Sequence, residues 1–270
     1  TLSGYAGVVI GGGQTLTVNL AGAPGEADGQ GAKINNLMGA TGSSLAVNNT
    51  GDGTAVVILN NKQMTTGEDD IDPAGQDTVM GGSITGGSNV TFIKEGTGTL
   101  TVGGTMDVET LALREGNIIL NGTENSLDTL TLEGGGLTIS GNAEIETITG
   151  TEAGGTLAIQ GTLDLTGTSN INDGAITGTG SLRIREGAEL ALGGEARLDG
   201  TSVTADGTLT LTGTESGAIS GLSGSGALSM NGGSLSISSA TTSSGTFSGT
   251  LAGRGALDIS GQATQYLQTG

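Results

Sequence analysis

The chain has 270 residues, enough for one large domain or two small ones, and 55 of them are glycine. It contains no cysteine, histidine or tryptophan, which excludes disulfides, Cys/His zinc sites and histidine-based acid–base catalysis. Its net charge of −19 predicts no binding to nucleic acid or to anionic lipid. No apolar run of about 20 residues is present, so we expect no membrane insertion as a helix. The sequence does not open with a signal peptide, and we expect any secretion signal to lie outside it.

The hydrophobic residues, 34% of the chain, fall in short alternating patterns that predict β-strands rather than disorder or helices. In residues 1–90, strands are expected at 15–20, 44–47 and 55–59. Polar loops at 22–31 and 67–75 separate them. We expect this region to form less regular β coils with insertions, one of which could act as a cap.

From residue 91 to residue 270 the pattern becomes regular. Glycine and a small residue precede an apolar-x-apolar triplet, and glycine follows, as in 98–103, 155–161, 161–167, 207–213 and 255–261. In a strand the leucine and its i+2 neighbour point to the same side, so we expect both to face inward. The flanking glycines suit tight corners.

The leading residues of these triplets are spaced by about 26 residues on average, which indicates a repeat architecture. They are Leu100, Leu130, Leu157, Leu182, Leu209, Leu228 and Leu257. Two or three short strands in each repeat predict an all-β fold, a single-stranded parallel β-helix (β-solenoid) of roughly ten coils. A β-sandwich is the alternative, but it favours longer strands and a bulkier core than two Phe and two Tyr can provide.

Residues 92–104, Phe-Ile-Lys-Glu-Gly-Thr-Gly-Thr-Leu-Thr-Val-Gly-Gly, resemble the passenger-associated repeat of autotransporter proteins. In that family a Lys-x-Gly-x-Gly-Thr-Leu-Thr-Leu-x-Gly segment precedes a Gly-x-Leu or Gly-x-Ile strand, and residues 114–120 supply the second part. Further copies lie at 178–184, 224–230 and 253–259. The similarity spans residues 90–262, approximately.

The resemblance implies a right-handed parallel β-helix at the extracellular surface of a Gram-negative bacterium. Family members are exported through a C-terminal β-barrel translocator. We find no run of barrel-type strands in this sequence, so we expect it to be the passenger part alone. The lack of cysteine fits passage through an oxidising periplasm.

The acidic cluster at 68–72 is the first candidate site. Asp69, Asp70 and Asp72 offer oxygen ligands of the kind that Ca²⁺ prefers. However, the spacing of an EF-hand and the calcium-roll repeat are both missing. We therefore favour a solvated loop and expect neither a metal nor a cofactor.

Two further pairs of charged residues flank a predicted inward isoleucine. Glu144 and Glu146 should both point outward, with a separation compatible with glycoside hydrolysis, yet no sugar-binding aromatic or arginine lies near them in sequence. Arg183 and Arg185 form a basic pair in an acidic chain. We favour ion pairing with acidic residues on adjacent coils; the alternative is a docking point for an anionic glycan.

Together these observations predict a non-enzymatic structural or adhesive passenger domain that contacts host glycans, matrix proteins or like copies through extended polar faces. A carbohydrate-binding module with a specific groove is the alternative. A polysaccharide-degrading enzyme that acts through carboxylates is the third class. Because the rods carry a large negative charge, we expect mainly monomers.

Overall fold

The computed structural model describes residues 7–22, 31–61, 75–150, 154–213 and 217–268, with side chains at all of these positions except 240–243. The described residues contain β-strands and no helix. They form two compact units, Thr1–Asn142 and Ala143–Gly270.

The first unit contains thirteen strands in its described residues. They are β1 (Gly7–Ile10), β2 (Thr15–Leu20), β3 (Ala32–Gly39), β4 (Ser44–Asn49), β5 (Ala55–Asn60), β6 (Thr78–Met80), β7 (Ser83–Gly86), β8 (Val90–Glu95), β9 (Thr99–Val102), β10 (Met106–Leu113), β11 (Asn117–Leu120), β12 (Asn125–Leu132) and β13 (Gly136–Ile139).

The remaining strands belong to the second unit, whose first strand begins one residue before the boundary. They are β14 (Asn142–Gly150), β15 (Gly155–Ile159), β16 (Thr162–Leu165), β17 (Thr168–Ile171), β18 (Gly174–Thr177), β19 (Ser181–Ile184), β20 (Glu189–Leu192), β21 (Arg197–Leu198), β22 (Ser202–Ala205), β23 (Thr208–Leu211), β24 (Ala218–Ile219), β25 (Gly221–Ser223), β26 (Ala227–Met230), β27 (Ser234–Phe247), β28 (Thr250–Gly253) and β29 (Ala256–Leu267).

Strands of the first unit pair in parallel with strands one coil away. Leu100 of β9 pairs with Ile118 of β11, which pairs in turn with Leu137 of β13. All three side chains are buried. Because a strand turns alternate side chains to one side, each coil adds one aliphatic residue to the same column. The core of this unit is a set of such columns.

The second unit has three strands in each regular coil. The coil of β15, β16 and β17 pairs, strand by strand, with the coil of β18, β19 and β20. One resulting column runs from Leu163 through Leu182 and Val203 to Leu222, and all four are buried. The predicted parallel β-helix is thereby confirmed: the described strands of each unit stack in parallel as a β-solenoid, with about nine turns in the two units together.

The predicted repeat length of about 26 residues is wrong. Stacked partners in the regular coils are closer in sequence: Leu163 pairs with Leu182, 19 positions later, and Leu182 pairs with Val203, 21 positions later. The leading leucines do not all share one column: Leu209 pairs with Leu228, but Leu157 pairs with Ile176 rather than with Leu182. Their average separation in sequence therefore combines distances between strands of one coil with distances between stacked strands of adjacent coils.

Stacked partners in the N-terminal coils are further apart in sequence. Leu45 pairs with Ile84, 39 positions later, and Val57 pairs with Phe92, 35 positions later. The expected strands are found as β2, β4 and β5. The predicted change from less regular to regular coils, at residues 90–91, lies within strand β8. This strand pairs with both β5 and β10, so the change falls inside the first unit.

Some corners of the coils have space for glycine only, because the backbone of the neighbouring coil lies close to them. Gly178 has a φ of 121°, and a Cβ at this position would lie 2.0 Å from the carbonyl oxygen of Ile159. No side chain fits at that distance, so glycine is required here by both conformation and space.

Candidate binding surfaces

A shallow groove with a volume of about 410 Å³ lies on the second unit. One wall is a column with a residue from each successive coil. Thr168 pairs with Glu189, Glu189 with Thr208, Thr208 with Ala227, and Ala227 with Thr250. Four steps between adjacent strands give this wall a length of about 19 Å.

The floor of the groove follows the preceding corners of the same coils. Gly187, Ala188, Asp206, Gly207 and Gly226 line it. A Cβ at Gly207 would lie 2.2 Å from the carbonyl oxygen of Ala188, and one at Gly226 would lie 1.9 Å from that of Gly207. Close packing of backbone on backbone thus keeps bulky side chains out of the floor.

Two carboxylates face this groove, and residues of the following coil hold each of them. Glu189 Oε1 accepts a hydrogen bond from Thr210 Oγ1 at 3.3 Å, and Asp206 Oδ1 accepts one from the backbone N of Ser225 at 3.2 Å. Hydroxyl donors and carboxylate acceptors in a row can hydrogen-bond to sugar hydroxyls. None of the described residues that line the groove has an aromatic ring against which a sugar could stack.

Arg183 and Arg185 both contact Asp164, which lies one coil earlier on β16. Arg183 Nε is 3.6 Å from Asp164 Oδ1, and Arg185 Nη2 contacts the other carboxylate oxygen. This arrangement confirms the predicted ion pairing between adjacent coils. The docking of an anionic glycan at this pair stays a prediction.

Glu144 and Glu146 lie on β14 with exposed side chains on either side of buried Ile145, as predicted. The acidic cluster with Asp69, Asp70 and Asp72 lies outside the described residues. Among the residues that the structure does describe, no group of three or more acidic side chains is placed to hold a metal ion.

Lys94 is a buried charge that the sequence analysis missed. It is fully buried, and its Nζ donates hydrogen bonds to the carbonyl oxygens of Gly96 at 2.7 Å, Glu95 at 2.9 Å and Glu115 at 3.4 Å. Burial lowers the pKa of Lys94 to about 8, against the opposing effect of nearby acids, chiefly Glu115. The sequence could have indicated this burial, because alternate residues of a strand face the same side. Lys94 lies on β8 two residues after Phe92, which is buried.

The outer surface of the first unit carries a row of alternating charges. Lys33 Nζ is 3.3 Å from Glu95, Arg114 Nη1 is 3.6 Å from Glu95, and Arg114 Nε is 2.9 Å from Glu133. Lys33 lies on β3 and Glu95 on β8, with β5 between them, while Arg114 and Glu133 follow β10 and β12. Lys33 and Arg114 therefore form ion pairs between coils, and their positive charges are neutralised by acidic side chains.

Comparison with known proteins finds no match to this chain among family models, curated proteins or solved structures. Among the described residues there is no helix long and apolar enough to cross a membrane.

Proposed function

We propose that the chain is a non-enzymatic structural and adhesive domain that presents the polar outer faces of a β-solenoid. The supporting observation is the repetition of polar side chains at the spacing of the coils. Thr162 pairs with Ser181 and Ser181 with Ser202, and the hydroxyls of the two serines are 3.1 Å apart. A regular row of this kind suits many weak contacts that act together.

The proposed partners are host glycans or matrix proteins, which carry dense arrays of hydroxyl, amide and charged groups. The proposed location is the extracellular surface of a Gram-negative bacterium, with the chain serving as the passenger of an autotransporter-like protein. Support for this location comes from the repeat at residues 92–104 and its further copies.

A carbohydrate-binding module is the second candidate, and the groove lined by Thr168, Glu189 and Thr208 favours it. In this alternative, one site on the second unit carries the affinity. The two candidates differ in how binding responds to a single substitution.

Binding of the purified chain to a panel of immobilised polysaccharides and matrix proteins tests both candidates. Thr208→Arg obstructs the groove, and Thr204→Arg is a matched control on the outer side of β22, outside the groove lining. If the chain binds through many weak contacts along its faces, both variants should weaken binding similarly, by less than about threefold. A groove module predicts a loss of tenfold or more, approximately, for Thr208→Arg alone.

Absence of binding to every member of the panel would contradict both candidates. Release of reducing ends from any polysaccharide, abolished by Glu144→Gln or Glu146→Gln, would overturn the non-enzymatic proposal. The same protein preparation serves for both measurements.

A further inference from the structure

The sequence contains two Asn-Gly steps, at residues 121–122 and 231–232. In such a step the backbone nitrogen of the glycine can approach the side-chain amide carbon of the asparagine, because no Cβ stands in the way. Both asparagines are exposed at a corner, since Asn121 follows β11 and Asn231 follows β26. The dipeptide itself does not distinguish the two positions, so a difference in their reactivity has to come from the fold.

At the first step, packing and hydrogen bonds hold the glycine in place. Gly122 is buried, and a Cβ there would lie 2.3 Å from the carbonyl oxygen of Gly104. The carbonyl oxygen of Gly122 accepts hydrogen bonds from the backbone N of Asn142 at 3.1 Å and from Asn125 Nδ2 at 2.7 Å. Rotation that brings the Gly122 nitrogen to the side chain of Asn121 would have to break these contacts, so this step is held away from a reactive geometry.

At the second step, the glycine is held by neither kind of contact. Gly232 is exposed, its φ is 105°, and nothing lies within 4 Å of a Cβ built on it. No hydrogen bond joins its backbone N or O to a described residue. The peptide between Asn231 and Gly232 can therefore rotate without losing a hydrogen bond, and the Gly232 N–H is available for reaction.

We propose that Asn231 is a site of spontaneous deamidation in the folded protein. The Gly232 nitrogen gives its proton to hydroxide or another base and bonds to Asn231 Cγ. The bond from Cγ to the side-chain nitrogen breaks, and that nitrogen leaves as ammonia. Water then opens the resulting cyclic succinimide at either carbonyl, which leaves aspartate or isoaspartate at position 231. The net change is the consumption of water and the release of ammonia, with no oxidant or cofactor.

The new carboxylate would be stacked on a basic residue of the adjacent coil. Met230 pairs with Gly253, and Arg254 N donates a hydrogen bond to the carbonyl oxygen of Met230, so position 254 lies one coil from Asn231. Arg254 is exposed and takes part in none of the ion pairs among the described residues. Deamidation therefore supplies an acidic partner in the next coil, as Asp164 already does elsewhere in this unit.

Peptide mapping by mass spectrometry of the purified chain, incubated folded at physiological temperature, tests the proposal. Conversion at Asn231 should be at least tenfold faster, approximately, than conversion at Asn121, and it should speed up at alkaline pH. Heavy oxygen from labelled water should enter residue 231 with the change in mass. The same chain unfolded in urea is the matched control, in which the two steps should convert at similar rates. No conversion at Asn231 in the folded chain, over a period in which the unfolded chain converts, would overturn the proposal. Equal rates at the two steps of the folded chain would overturn the selectivity assigned to the fold.

A substitution that mimics the product tests the contact with the adjacent coil. The carboxyl introduced by Asn231→Asp should have a lower pKa than the same carboxyl in a chain that also carries Arg254→Gln, because the guanidinium favours the ionised form. Titration followed by NMR measures both values, and circular dichroism should show that both variants remain folded. Equal pKa values in the two variants would overturn the proposed pairing with Arg254.

Discussion

Lys94 Nζ lies 2.7 Å from the carbonyl oxygen of Gly96, in a fully buried position within the first unit. The pKa of Lys94 is lowered from 10.5 to about 8 by burial. The unfolded chain therefore binds more protons than the folded chain between these two values. Stability should consequently rise as the pH increases from about 8 toward 10.5.

The variant Lys94→Met isolates this effect, since the other titrating groups are the same in both proteins. Relative to the variant, the wild type should gain up to about 3 kcal/mol of unfolding free energy between pH 7.5 and pH 10.5, an estimate based on the linkage of pKa to stability. Chemical denaturation followed by circular dichroism measures both curves. Parallel pH dependences for the two proteins would contradict the burial of a titrating lysine.

Removal of one core residue should destabilise the second unit through the loss of a stacked contact. Leu182 is buried between Leu163 and Val203. We expect Leu182→Ala to cost about 2–5 kcal/mol, whereas Thr156→Ala, on the exposed side of β15, should change stability by less than about 0.5 kcal/mol. Similar effects of the two substitutions in urea denaturation would mean that Leu182 does not face a packed core.

A pair of glycine substitutions separates corner positions from strand positions. Gly178→Ala should cost more than about 2 kcal/mol, because φ is 121° and the new Cβ would meet a backbone oxygen. Gly221→Ala is the control: nothing lies within 4 Å of a Cβ there, so we expect a neutral or slightly stabilising effect. Differential scanning calorimetry should show a marked fall in Tm for the first variant only. Equal Tm values would count against the corner geometry.

Asn125 is predicted to be essential for the join between neighbouring coils of the first unit. Its Oδ1 accepts from the backbone N of Met106 at 2.9 Å, and its Nδ2 donates to the carbonyl oxygens of Gly122 at 2.7 Å and Asn142 at 2.8 Å. Asn125→Ala leaves these groups without their partner and should cost about 2–4 kcal/mol. Asn117→Ala, at an exposed position on β11, should have little effect in the same denaturation assay. Wild-type stability of Asn125→Ala would refute this role.

Much of the architecture could be predicted because inward and outward residues alternate in most of the short strands, such as β9, β16 and β23. Leu163 and Leu165 share a buried side, while Asp164 between them faces outward and meets the arginines of the next coil. The repeat length could not be predicted in this way. Each coil carries several similar triplets, and local sequence does not show which of them stack.

Other features depend on neighbours that a local pattern does not specify. The triplet at residues 255–261 has the same form as the buried triplets, yet Ile259 is exposed because no described strand lies over it. The groove arises from the alignment of Gly207 and Gly226 on adjacent coils, which requires the 19-residue step between Thr208 and Ala227. Lys94 shows the converse: it lies on the inward side of β8 and is buried although its side chain is charged, and its burial was not predicted.

Backbone NMR on an isotopically labelled sample tests the stacking of the coils most directly. The structure predicts interstrand NOEs between the backbones of Leu163 and Leu182, and between those of Leu182 and Val203, in a parallel pattern. Antiparallel NOEs, or NOEs that join Leu182 to residues about 26 positions away instead, would contradict the β-solenoid described above.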